Sequence, residues 1–180
     1  MDSKEINQIA LSNLPEIANI SMPDIQEFTK GSVLAAPGQF WLKASAYYRG
    51  HHPDDEIAEW GNLRHTKRTL VVAEILATIE ALDGLEHDCL ISGLVIHDMG
   101  KYGVFGDAMK IIFNHPVLVA SIVKDIPLDH GNKTAILKIV ASHMGRWGDV
   151  PPQTKAEILA HYADCIASRT SLNIPVSIKV

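Results

Sequence analysis

His65, an adjacent His97-Asp98 pair, His115, His143 and Asp164 form an ordered series of imidazoles and carboxylates along the chain. Together these side chains suit manganese, iron, cobalt, nickel or zinc, whereas an all-oxygen magnesium or calcium cage would not recruit so many imidazoles. Nine histidines in 180 residues exceed what packing or solubility requires. Taken singly, His65 or His115 carries little weight, because a lone histidine on an apolar helix is usually a packed, hydrogen-bonded core residue. The His97-Asp98 pair differs. It follows Leu94, Val95 and Ile96 at the end of the most apolar run of the chain, and burying a carboxylate without a cation or donors is costly. A metal ion resolves that cost.

Other residues are spaced to serve such a centre. Lys101 stands three residues after Asp98, so a continuing helical turn sets it near the same face, either as a phosphate contact or as a cation at a helix C-terminus. His161 shares a helix face with Asp164, where it can hydrogen-bond a metal ligand, reach a substrate, or be solvated or structural. His51 and His52 sit in the polar, glycine-bracketed stretch GHHPDDEIAEWG, placed to close over a pocket or to be solvated. Arg146 and Trp147 follow His143 between glycines; the guanidinium can grip phosphate, and the indole can stack on a base or anchor the core. His87 and His130 stand beside acidic residues at helix edges and read as surface histidines. There is no GxxxxGK loop, which counts against P-loop nucleotide hydrolysis, and no serine lies in a nucleophile motif.

The elements that must position these groups read as helices. A first helix is expected from Ser3, as N-cap, to about Ile20, broken near Pro15, followed by a short one after Pro23. Leu63–Leu82 presents Leu63, Leu70, Ala73, Ile75, Leu76 and Ile79 as a broad apolar face. Glu86–Asp98 is apolar almost all round, the pattern of a central helix buried on every side; a buried strand is the rival reading, disfavoured by its helical neighbours. Further helices are expected over Asn114–Lys124, Asn132–Met144 and Thr154–Ser168, giving about six or seven in all. The tail NIPVSIKV is β-prone but contains Pro175, so an extended edge, a partner-binding arm or a frayed end is expected.

A chain of this length is expected to hold one core. A 47% hydrophobic and 21% charged composition is that of a globular protein. The formal charge of −5 argues against a surface that tracks long duplex nucleic acid. Cys89 and Cys165 lie in apolar stretches without CxxC spacing and read as unbridged thiols of a reducing compartment. The opening MDSKEINQIA lacks a basic region followed by an apolar segment, and no apolar run reaches membrane length, so the cytoplasm is the expected location and no membrane partner is expected.

The string LVIHDMGK resembles the signature of the HD-domain metal-dependent phosphohydrolases, and the order His65, His97-Asp98, Asp164 matches their minimal ligand set. His115 and His143 add the two histidines of the dinuclear branch. Within it, HHPDDEIAEWGNLRHT and ASHMGRWGDVPPQTKAEILAHYADCIASR are most similar to the HD domain of YhaM-type 3′-5′ exoribonucleases. The resemblance runs from about His51 to Arg169. It implies an all-α HD core over residues 51–170; outside it, the residue pattern makes 1–50 a helical lead-in and 171–180 an extended tail. It also implies two divalent transition-metal ions, one held by His65, His97, Asp98 and Asp164 and the other by Asp98, His115 and His143.

A metal-bridging hydroxide would then attack a phosphoester of a nucleotide or short oligonucleotide. Asp98 and Lys101 are the implied catalytic residues, and Lys101, Arg146, His52 and His161 the implied substrate contacts. The same six ligands also resemble HD-type di-iron oxygenases, which oxygen consumption would distinguish. A nucleotide-sensing module would bind tightly without turnover.

Overall fold

The computed structural model describes residues 1–47, 52–172 and 174–179. Its seven α-helices among these residues are α1 (Ser3–Ser12), α2 (Pro23–Leu34), α3 (Gly61–Ile79), α4 (Gly84–Ile96), α5 (His115–Ile122), α6 (His130–Ser142) and α7 (Lys155–Ala167). No strand occurs among the described residues, so the expectation of an all-α fold holds. No helix among them is long and apolar enough to cross a membrane.

α4 is the axle. It packs against α2, α3, α6 and α7, and from Asp88 to Ile96 every residue is buried. This is why its sequence shows no polar face. Each aliphatic side chain so enclosed contributes roughly 1.5–3 kcal/mol of transfer free energy. The α2 contact also holds a buried polar pair, Thr29 Oγ1 donating to Ser92 Oγ at 2.7 Å. Buried Asp88 accepts from Ser21 N, Ser21 Oγ and Met22 N at 3.0, 2.8 and 2.8 Å, so its carboxylate anchors the start of α2. Burial opposes its charge, but these donors win and lower its pKa.

Several expected boundaries shift for local reasons. The cap of α1 is Asp2, not Ser3: its carboxylate takes Glu5 N while Glu5 returns a bond to Asp2 N, both at 2.9 Å. The first helix ends at Ser12, and Pro15 opens a separate 3-10 turn, Pro15–Asn19, because proline offers no N–H to continue the ladder. On α3, Ile75 and Ile79 are 56% and 70% exposed, contrary to the expected apolar face. Its first half is instead buried on all sides, Lys67 and Arg68 included. Both cations are satisfied there: Lys67 donates to Asn13 O at 2.5 Å and Arg68 Nε to Ile174 O at 2.8 Å.

The tail is extended and tied down. Asn13 pairs with the backbone of Lys179 in both directions, at 2.8 and 2.7 Å, while Ile174 and Ile178 rest against the core. Cys89 and Cys165 are both free thiols.

The chain between α4 and α5 passes through turns stitched to the segment before α3. Tyr102 Oη donates to Ala44 O at 2.7 Å, and Lys43 Nζ to Gly106 O at 2.7 Å. Gly100 sits where this turn meets α5, and a Cβ there would run into the His115 carbonyl oxygen. Backbone on both sides leaves little room to yield. Gly100→Ala is therefore expected to cost about 1–3 kcal/mol of stability in urea unfolding. Gly84→Ala, where no atom stands within 4 Å, should change it by less than about 0.5 kcal/mol.

Candidate metal centre

α4 and α6 end at the same level of the bundle, and each ends in histidine: His97 and His143 are their C-caps. His115 opens α5, His65 lies in the second turn of α3, and Asp164 projects from α7. Three imidazoles are aimed in the same manner. Nδ1 of His97, His115 and His143 bonds the carbonyl three residues earlier, Leu94, Ile112 and Val140, at 2.6, 2.8 and 2.7 Å. A carbonyl only accepts, so each Nδ1 carries the hydrogen and each Nε2 presents a lone pair inward.

Asp98 lies among them with its two oxygens divided. Oδ2 stands 3.2 Å from His97 Nε2 and 3.6 Å from His65 Nε2. Oδ1 stands 3.0 Å from His115 Nε2 and 3.7 Å from His143 Nε2. Asp164 Oδ1 closes the first group, 2.9 Å from His65 Nε2 and 4.0 Å from His97 Nε2. All six residues named from the sequence thus meet in one place.

Their chemistry is a concentration of acceptors. His97 Nε2 is buried with no hydrogen-bond partner among the described residues, because its neighbour Asp98 Oδ2 is itself an acceptor. Cations must intervene, as protons or as metal. Burial works against charge on His65, yet Glu56 and Asp164 on either side outweigh it and push its pKa up to about 10. Burial and the neighbouring His97 bring His143 down to about 3. Burial also resists ionisation of Asp98, but His97, Lys101 and His115 hold its carboxyl well below the usual carboxylate range.

Donors sharing one ion at about 2.1 Å stand at most about 4.2 Å apart. The 2.9–4.0 Å separations of both groups meet that limit. His65, His97 and Asp98 form one set able to hold an ion, and Asp98, His115 and His143 another. The orphaned nitrogen and the donor types both fit transition metals.

Glu56 was not singled out in the sequence, and it supports this arrangement from behind. It is fully buried and accepts from Arg68 Nη1 at 2.6 Å while lying 2.7 Å from His52 Nδ1 and 3.1 Å from His65 Nδ1. Burial opposes its charge, but His65, His52 and Arg68 together hold its carboxyl far below the ordinary range. The carboxylate fixes the His65 ring so that Nε2 faces inward. The available signal was Arg68, three residues after His65 on a helix face that a cation enters only with a buried partner.

Lys101 is folded against Asp98. It is 7% exposed, and its ammonium donates to Asp98 Oδ2 at 2.6 Å and to Ser45 O and Oγ at 3.1 Å each. It lies in the core beside the carboxylate because the backbone folds there into a turn, Lys101 N donating to Asp98 O. A cleft of about 640 Å³ opens beside Asp164, lined by His52, Arg146, Trp147, His161, Cys165 and Arg169, among others. His161 is seated at 2.8 Å from His143 O through Nδ1. Gly145, at φ 55°, lets the chain pass this ring, which a Cβ would strike. His51 lies outside the described residues. His130 is exposed as expected, while His87 is half-buried and paired with Glu74 at 2.9 Å.

A family model described as HD domain matches residues 62–169. The chain is 25% identical over 170 residues to the 3′-5′ exoribonuclease YhaM of Bacillus pumilus, a match covering 87% of this chain and 52% of the relative. It is 24% identical over 170 residues to the same-named protein of Bacillus subtilis, again 87% and 52%. The chain thus spans about half the length of the curated relatives it matches. No solved structure matches it significantly.

Replacing Glu56 by Gln leaves Arg68 with Asp55, 43% exposed, as its remaining carboxylate partner, and stability is expected to fall by about 1–3 kcal/mol on chemical denaturation. The sign of the pH dependence follows from the lowered carboxyl: its stabilisation is present above the unfolded value of 4.5 and is lost as pH falls below it. The difference between wild type and Glu56→Gln should accordingly narrow from pH 7 toward acid.

Proposed function

The chain belongs to the HD domain family, and on that premise we propose that it is a cytoplasmic metal-dependent phosphohydrolase acting on a nucleotide or short oligonucleotide. The observation that carries this reading is the division of Asp98, one oxygen turned to His65 and His97 and the other to His115 and His143. That is the posture of a carboxylate bridging two cations. His65, His97, Asp98 and Asp164 would hold one divalent ion, and Asp98, His115 and His143 the second. Manganese, iron, cobalt, nickel and zinc all suit these donors. Such ions, when bound, supply Lewis acidity at phosphate oxygens and a water acidified toward neutrality.

The chain's own residues do the rest. Lys101 neutralises Asp98 and stands at its edge, where a phosphate drawn to the site meets a fixed positive charge. His52, with Nδ1 at Glu56, and His161, anchored on His143 O, line the approach together with Arg146. The exoribonuclease names of the relatives support a phosphodiester substrate. The net charge of −5 favours a small or short one over long duplex nucleic acid.

Hydrolysis of nucleotides, cyclic dinucleotides and short oligomers with manganese, cobalt or nickel added tests the reading. Elemental analysis of the same preparations should find two metals per chain in the wild type. In Asp98→Ala, with circular dichroism unchanged, both metals and activity are expected to fall together to background, whereas His115→Ala should retain about one metal. Wild-type turnover in Asp98→Ala, or oxygen consumption without phosphate release by the iron form, would contradict it.

A further inference from the structure

Resting on the phosphohydrolase reading, a second feature speaks to what the substrate looks like away from the reacting phosphate. The cleft beside Asp164 runs past the 3-10 turn Gly145–Trp147 to the end of α7. Of the three tryptophans, Trp41 and Trp60 are buried, at 0% and 4% exposure, while Trp147 is 48% exposed. It is no core anchor. The Arg146 guanidinium lies 4.6 Å from its ring centroid, and the His161 ring lies beside it at 5.8 Å, tilted by 58°. The result is a flat, cationic ledge on the cleft wall.

Arg169 lies on the same cleft, one residue beyond Ser168, the C-cap of α7. Neither Arg146 nor Arg169 has a carboxylate partner among the described residues, whereas Arg64 and Arg68 do. Among the described residues of the lining the only carboxylate is Asp164, which is paired with His65. An exposed indole backed by one guanidinium, with a second guanidinium further along, is a pairing suited to a nucleobase and a phosphate.

We infer that this wall is a strand-binding subsite: the Arg146–Trp147 ledge stacks the base nearest the scissile phosphate, and Arg169 takes the next phosphate along. The substrate class that follows is a short single-stranded oligonucleotide with at least one phosphate beyond the one cleaved. Single-strandedness is required because a base can stack on the indole only when free of its partner.

Three substrates separate the contributions: bis(p-nitrophenyl) phosphate without a base, thymidine 5′-monophosphate p-nitrophenyl ester with one, and triadenylate with further bases and phosphates. In Trp147→Ala the ratio of kcat/KM between the thymidine ester and bis(p-nitrophenyl) phosphate should fall about tenfold, within the range of base–aromatic stacking. In Arg169→Ala the ratio between triadenylate and the thymidine ester should fall, with the ester's own preference kept. Tryptophan fluorescence supplies a readout that needs no turnover. Phosphorothioate-linked triadenylate should quench wild-type emission, and Trp147→Phe should abolish the quenching, since the other two indoles are buried.

Unchanged ratios in both variants, or equal fractional quenching in Trp147→Phe, would overturn the subsite. Cleavage of bis(p-nitrophenyl) phosphate with no preference for either nucleotide and no quenching would also overturn it while leaving the phosphohydrolase reading intact. Quenching that depends on Trp147 in a protein that cleaves none of the three would uphold the subsite and remove the hydrolase.

Discussion

A crowd of buried acceptors governs this protein. Four imidazole nitrogens and two carboxylates converge within a few ångströms, and the backbone carbonyls behind His97, His115 and His143 have already taken the hydrogens on the far side of those rings. Lone pair faces lone pair, most plainly at His97 Nε2, which has no partner among the described residues. Positive charge must be supplied. Lys101 gives one share to Asp98, and His65 gives another when protonated between Glu56 and Asp164. A divalent cation satisfies the same atoms without protons, which is why the cluster reads as a metal centre rather than a histidine-rich core.

The fold is arranged around keeping that cluster in place. α4 is apolar on every side because helices surround it, so its C-terminal His97-Asp98 pair is delivered to the middle of the molecule. α6 stops at the same height and presents His143 in the same cap position. The Gly100 turn brings α5 back closely enough for His115 to meet Asp98. Glu56 and Arg68 form a second buried layer behind His65. Removing a partner from such a layer is costlier than the pair's own net worth, because an uncompensated charge stays behind.

Much of this was legible in the residues. The His97-Asp98 pair stood out by type and place, since few alternatives explain a carboxylate at the end of an all-apolar helix, and the resemblance to HD-domain enzymes added His65, His115, His143 and Asp164 as its fellow ligands. The helices over α3, α6 and α7 followed from periodicity and helix-forming or capping residues, and α4, apolar almost all round, from its helical neighbours. What was missed depended on tertiary partners. Glu56 sits in a polar loop that resembles any solvated turn until Arg68 and two histidines close around it. The contact of the Lys101 ammonium with Asp98 and Ser45 depends on the turn after Asp98, which spacing alone does not specify. Ile75 and Ile79 joined an apolar face by spacing, yet among the described residues no element covers the side they occupy. Helical periodicity states which residues share a face and is silent about whether another element packs there.

We propose that Asp98 joins two metal ions, and anomalous diffraction from crystals of the manganese-loaded protein tests this most directly. Two peaks are predicted, about 3.5–4 Å apart as in two-metal hydrolytic sites, with one Asp98 oxygen on each. His65, His97 and Asp164 should surround the first ion, with His115 and His143 on the second. A single fully occupied peak, or two ions that do not share Asp98, would contradict the account.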